Sequence, residues 1–370
     1  MTFLSKGLLA LASVSALLGQ GAPGIMYLGT LDHKLLMIDE EKGDIVGEIA
    51  LGGIARTTVL STDQTKLHIF TTKLLLETVD LASKKVISSF SLSDGKSEPR
   101  MMRGAGGRNF SGVAVDPGGR YLYTTMKVTV KELDQFRNEP PQFVMIDLQE
   151  KKIAKTMPMP KGYDLGFGFG ASFKISPDGK LLYVFDQDIV VFNLSDLKQV
   201  DRIELAKPVH PGASPYRLTA NDDPNDPPGT VTSVFTTVDP IVHKETLGMA
   251  RVDLNTRKVD YQPLGPSFPM VGFALTPDRK LGYSLMVTRA GANRETEWWV
   301  WDVATKRVIQ KQAIPQRPNF RFAMSSDGSR LYVYGAGSTI ELFDAKTLKS
   351  IKMVYLNKDT TTNLITVARR

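Results

Sequence analysis

The sequence predicts an all-β fold, a seven-bladed β-propeller of four-stranded antiparallel blades whose ring is closed by the C-terminal strand. Three observations carry that prediction. An apolar strand ending in Asp or Asn recurs seven times, a glycine-rich turn recurs upstream of it, and one strand is left over at the end of the chain. The recurring strand reads Met37-Ile38-Asp39, Thr78-Val79-Asp80, Met145-Ile146-Asp147, Val191-Phe192-Asn193, Arg251-Val252-Asp253, Val300-Trp301-Asp302 and Leu342-Phe343-Asp344. Its closest copies lie about 40 residues apart, the length that four short strands need. Wider separations contain insertions.

The upstream turn is Ser61-Thr62-Asp63, then Asp116-Pro117-Gly118-Gly119 before Tyr121-Leu122-Tyr123, and Ser176-Pro177-Asp178-Gly179 before Leu182-Tyr183-Val184. It returns at Thr276-Pro277-Asp278 and at Ser325-Ser326-Asp327-Gly328 before Leu331-Tyr332-Val333, and is degraded between Asn221 and Gly229 in the fifth repeat. Proline fixes φ and glycine accepts a positive φ, so such stretches make tight turns. The first repeat lacks an upstream strand, and Thr362 to Ala368 supplies one, expected to pair with the N-terminal strands. Radial closure leaves only short, protected sheet edges. Gly112 and Ala114, Gly170 and Ala171, and Gly272 and Ala274 suit innermost strands crowded near an axis. The run Trp298-Trp299-Val300-Trp301 suits an outer strand that packs blade against blade, in preference to an exposed stacking platform.

Composition agrees. Across 370 residues, 42% are hydrophobic and 23% charged, which excludes a disordered chain, a collagen or a polytopic membrane protein. The absence of cysteine excludes disulfides, thiolate nucleophiles, cysteine-ligated clusters and covalent haem attachment on this chain. Met1 to Lys6 carries a positive charge, Gly7 to Leu18 is apolar and Gly19 to Pro23 is small and turn-like. That layout predicts a leader over 1–22, a single propeller domain over 23–370, a periplasmic or secreted location, and no membrane span. The net charge of +7 does not point to nucleic acid. Lys84-Lys85, Lys151-Lys152, Arg257-Lys258 and Lys306-Arg307 occupy the same turn of successive repeats, without interleaved stacking aromatics.

Connections from second to third strand and from fourth to first share one face of a propeller. Insertions fall on that face, around Lys127 to Pro141, Thr236 to Leu247, Thr288 to Glu297, Ser93 to Asn109, Pro158 to Gly168 and Lys207 to Ser214. Elaborated loops on a rigid scaffold are where binding resides. The segment from Arg100 to Asn109 offers Arg100, Arg103 and Arg108 among glycines whose amides can converge on an anion. Arg317 and Asn319 lead into the seventh repeat at the same face, followed by Arg321. Tyr163, Asp164, His210 and Tyr216 occupy similar positions. These ten residues, Arg321 aside, form the candidate ligand site. No serine elbow, phosphate loop or zinc-binding His-Glu-x-x-His occurs, and His33, His68, His210 and His243 are scattered over four repeats, so neither a catalytic residue nor a metal site is assigned. The favoured reading is a non-catalytic module that binds other protein subunits or a small anionic ligand. The alternative is a hydrolase such as a lactonase, with polar residues of several blades meeting at the axis.

The repeat, with Ser-Pro-Asp-Gly-Lys-Leu-Leu-Tyr-Val at 176–184, resembles the YVTN class of bacterial propellers. Within that class, Thr129-Val130-Lys131-Glu132-Leu133 through Pro140, leading into Val144-Met145-Ile146-Asp147, is similar to the long loop of the quinohaemoprotein amine dehydrogenase β subunit. The ending Thr361-Thr362-Asn363-Leu364-Ile365-Thr366-Val367-Ala368 is similar to its closing strand. This resemblance implies a periplasmic scaffold with no cofactor of its own, the quinone and haem being carried by partner chains. It transfers no catalytic residue.

Overall fold

The computed structural model describes residues 24–101, 112–159, 172–185, 188–205, 217–220, 226–239, 241–266, 270–287, 295–315, 320–335 and 337–369. The expected leader, 1–22, lies outside them. Seven antiparallel sheets form the blades of a β-propeller. From axis to rim, blade 1 is Ile365–Val367, Ile25–Gly29, Lys34–Asp39 and Ile45–Ala50. Blade 2 is Ala55–Leu60, Lys66–Thr71, Leu75–Asp80 and Lys85–Ser91. In blade 3 the order is Val113–Val115, Tyr121–Lys131, Gln142–Asp147 and Lys152–Pro158. Blade 4 has Ser172–Ile175, Leu181–Phe185, Ile189–Asn193 and Gln199–Ile203. Blade 5 has Arg217–Ala220, Thr230–Val238, Glu245–Asp253 and Val259–Pro266. Met270–Leu275, Leu281–Val287, Thr296–Asp302 and Arg307–Ile314 make blade 6. Phe320–Met324, Arg330–Gly335, Thr339–Asp344 and Ser350–Tyr355 make blade 7.

Ring closure follows the sequence expectation. Ile365, Thr366 and Val367 pair with Tyr27, Met26 and Ile25, so the last strand becomes the innermost strand of the first blade. No helix among the described residues is long and apolar enough to cross a membrane.

Each recurring Asp or Asn ends a third strand, and its side chain closes the turn that follows. Asp39 accepts from the amides of Glu41 and Lys42, Asp147 from Gln149 and Glu150, Asp253 from Asn255 and Thr256, and Asp344 from Thr347. Four residues after the anchor, all seven turns pass through positive φ, at Gly43, Lys84, Lys151, Leu197, Arg257, Lys306 and Leu348. Only the first is glycine. A Cβ on Gly43 would meet Val354 Cγ2 at 2.8 Å, so the seam with blade 7 leaves no room for one. The upstream turns are equally uniform. The Ser61, Ser176, Thr276 and Ser325 hydroxyls donate to Asp63, Asp178, Asp278 and Asp327 two residues on. These bonds hold the Asp63 carboxyl down at about 2, the Ser61 hydroxyl contributing most.

The apolar interior is divided into seven clusters among the described residues, one between each pair of neighbouring blades. The tryptophan run is on a third strand and fully buried. Trp299 and Trp301 pack on Val234, Leu247 and Met249 of blade 5, whereas Trp298 packs towards Phe320 and Phe343 of blade 7. Innermost strands approach closely, since a Cβ on Gly112 would lie 2.5 Å from the Phe173 ring.

One register position on the second strand also reaches across blades. Tyr183 donates its hydroxyl to the Leu254 carbonyl of blade 5, and Tyr332 donates to the Glu40 carbonyl of blade 1 at 2.8 Å. The equivalent residues are Tyr27, His68, Tyr123, Thr232 and Tyr283. His68 is buried and its Nδ1 lies 3.0 Å from the Thr78 hydroxyl. Burial holds its pKa down at about 4. Thr232 is replaced in its bridging role by Arg279 of blade 6, which pairs with Asp226 at 2.6 Å and donates to the Thr232 hydroxyl. At the seam, the Glu40 carboxylate is fully buried and accepts from the amide of Gly24 and from the amide and hydroxyl of Ser326. Burial raises its pKa.

Candidate functional site

The repeat turns line one face, and the other carries the insertions. Three of the expected loops contain strand. Tyr121–Lys131 continues past its blade, because Lys127-Val128-Thr129-Val130-Lys131 alternates charged and β-branched residues and suits a strand with both edges available. One edge takes Ser97–Met101, with Val128 opposite Pro99, and the other takes Phe136–Asn138, with Val130 opposite Arg137. The result is a three-stranded projection on blade 3. Ion pairs of Arg137 with Glu132 and Glu139 brace its tip, which leaves Leu133 and Phe136 exposed. In blade 5 the expected loop from Thr236 to Leu247 is a strand extension to Val238 opposite Glu245, ending in a turn capped by Asp239. Ile241 and Val242 are exposed there.

Of the ten candidate residues, Arg100 is described. It sits on the projecting strand opposite Lys127, exposed, with its guanidinium 2.7 Å from Glu98. Arg103, Arg108, Asn109, Tyr163, Asp164, His210, Tyr216, Arg317 and Asn319 lie outside the described residues.

The innermost strands reveal a pattern that reading repeats one at a time misses. Arg56 in blade 2, Lys174 in blade 4, Arg217 in blade 5 and Arg321 in blade 7 each lie on one, and no innermost strand carries an aspartate or glutamate. The cations differ in depth. Lys174 is opposite Tyr183, at the level of the bridging tyrosines. Arg321 is opposite Tyr334, two residues nearer the loop-rich face, and Arg56 falls in the bulge between Ala55 and Thr57 at a similar level. Arg217 is opposite Thr236, a further two residues up. At about 3.3 Å per residue the four span roughly 13 Å of the axis. Arg56 is exposed, and Lys174 and Arg321 are half-buried. An innermost strand has a sheet on one side and the tunnel on the other, so exposure there is exposure to the tunnel or its mouths. Asn363, just before the closing strand, accepts a bond from Arg321 and orients it. Laying the repeats in register is the signal that finds this set, since each cation precedes its turn motif by two to five residues where the motif survives.

A cleft of about 690 Å³ lies elsewhere, between blades 3 and 4 at the face of the repeat turns, lined by Tyr121, Tyr123, Lys155, Lys180 and Asn193. It is built from turns that every blade possesses. Among the described residues, no three His, Asp or Glu side chains gather as a metal-binding group.

No protein-family model matches this chain, and no curated protein matches it in sequence. Solved structures do match in fold. Dihydro-haem d1 dehydrogenase NirN in complex with DHE is similar at a TM-score of 0.50 and 13% identity, over 92% of this chain and 75% of that one. Apo AztD from Citrobacter koseri matches at 0.49 and 15%, over 92% and 97% of the two chains, and Kuenenia stuttgartiensis hydrazine synthase at 0.47 and 13%, over 94% and 99%. At such identity the likeness shows the propeller fold alone.

Proposed function

We propose that this chain is an exported, non-catalytic binding propeller that receives a partner protein on its loop-rich face, as the scaffold subunit of a periplasmic amine-oxidising complex. The observation that carries the reading is the one-sidedness of the elaboration. The projection on blade 3 and the long hairpin of blade 5 rise from the same face, and both present apolar side chains at their tips, Leu133, Phe136, Ile241 and Val242. Large exposed apolar side chains on a rigid support mark a contact surface, because their burial against a partner releases about 1.5–3 kcal/mol each. The leader-like 1–22 segment supports export, and the resemblance of the long loop and closing strand supports an oxidoreductase assembly whose quinone and haem belong to other chains.

Purification from the native host under mild conditions tests this. Accompanying chains with haem and quinone absorption bands are expected. Replacing Lys127–Pro141 by the short connection that blade 7 uses is expected to abolish their capture while leaving the thermal transition of the ring in place. A colourless monomer from the native host would sink the proposal.

A further inference from the structure

We propose that the axial tunnel binds a small organic anion carrying two or more carboxylates, with Arg56 and Arg321 as its principal grips and Lys174 beneath them. The inference rests on the reading of the loop-rich face as the binding end, and it names the class of ligand admitted there. Its basis is the sign of the tunnel wall. Arg56, Lys174 and Arg321 bring three cations from three different blades to the innermost strands, none of which carries an acidic residue. A concave, low-dielectric wall of one sign concentrates its field and attracts counter-charge.

The arrangement also selects the shape of the anion. Arg56 and Arg321 stand at similar depth on blades 2 and 7, either side of blade 1, while Lys174 is two residues deeper on blade 4. A single carboxylate cannot reach cations so dispersed in angle and depth, whereas a molecule with several can. The two guanidinium groups present planar forks that match carboxylate oxygens with paired hydrogen bonds, which a lysine cannot do. Arg321 is already oriented by Asn363.

Isothermal titration of the full chain at low salt, with citrate as the probe, tests the proposal, with acetate and inorganic phosphate as comparators. Citrate is expected to bind at least tenfold more tightly than either, and to weaken as sodium chloride is raised. The pair Arg56→Gln and Arg321→Gln together is expected to lose at least tenfold in affinity. Removing the same charge at the opposite face, with Lys84→Gln and Lys152→Gln, is expected to leave affinity within twofold. Thermal transitions of both double variants without ligand establish that they fold, and the salt series on the unaltered protein does not depend on them. Absence of citrate binding, or equal losses in the two double variants, would overturn the tunnel assignment, and phosphate binding as tightly as citrate would overturn the carboxylate one. Capture of partner chains with no citrate binding would leave the scaffold reading standing and remove only this inference.

Discussion

His68 occupies a position where five of the seven blades carry tyrosine, and the exchange changes how the protein responds to acid. A buried tyrosine stays neutral at any pH a cell meets. A buried histidine stays neutral only while its proton is refused, and burial holds His68 at about 4 against an ordinary 6.5. Below 6.5 the unfolded chain takes up a proton that the folded chain does not. Stability conferred by this site is therefore complete above 6.5 and is lost as pH falls from 6.5 to about 4, by about 3 kcal/mol in all. Urea unfolding at pH 7, 5 and 4 checks this, and His68→Gln, which cannot charge, is expected to remove that part of the pH dependence. The residue types at this position were legible in the sequence, but the bond that Tyr183 makes was not, because its partner is 71 residues away in another blade. Arg56, Lys174, Arg217 and Arg321 show the same limit. Each is an ordinary cation in its own repeat, and only the closed ring places their four strands around one axis.

At the scale of the element, the turn after each third strand is the most repeated device in the molecule. Its left-handed residue is lysine or arginine in four blades, although an L side chain there is strained by roughly 1–2 kcal/mol. Lys84 and Lys151 are exposed, so their side chains contribute little packing in return. Lys84→Gly or Lys151→Gly is expected to stabilise the protein by about 0.5–1 kcal/mol, read as a raised urea midpoint, the relief of strain exceeding the added entropy of the unfolded chain. Sequence patterning located these turns because their determinants are local. Patterning took 127–141 and 93–109 for loops, since one strand of the projection pairs with a segment some 25 to 33 residues away in the chain. Ser97–Met101 joins Val128 and its neighbours only through tertiary placement, and nothing in Ser97-Glu98-Pro99-Arg100-Met101 alone announces a strand.

On the scale of the whole molecule, the seven apolar clusters of the described residues each bridge two blades, so every blade is stabilised by both neighbours. Closure then matters out of proportion to its length. The last strand buries Leu364 and Val367, pairs with the first, and carries Arg369 to Asp39, while Glu40 ties the same seam to Ser326. Deleting 363–370 is expected to cost about 4 kcal/mol from the lost apolar burial alone and to expose amides within Ile25–Tyr27 to hydrogen exchange. Retained protection at those amides would show that closure depends on other contacts. The repeat, the blade number, the turn chemistry and the closing strand were legible in the amino-acid order, because strand alternation, asparagine and aspartate caps and positive-φ turns act over a few residues. Which residues share the axis, which hydroxyls cross between blades and which insertions become strands emerged with the folded ring. Those depend on the angle at which neighbouring blades meet, and that angle is set by packing between residues far apart in the chain.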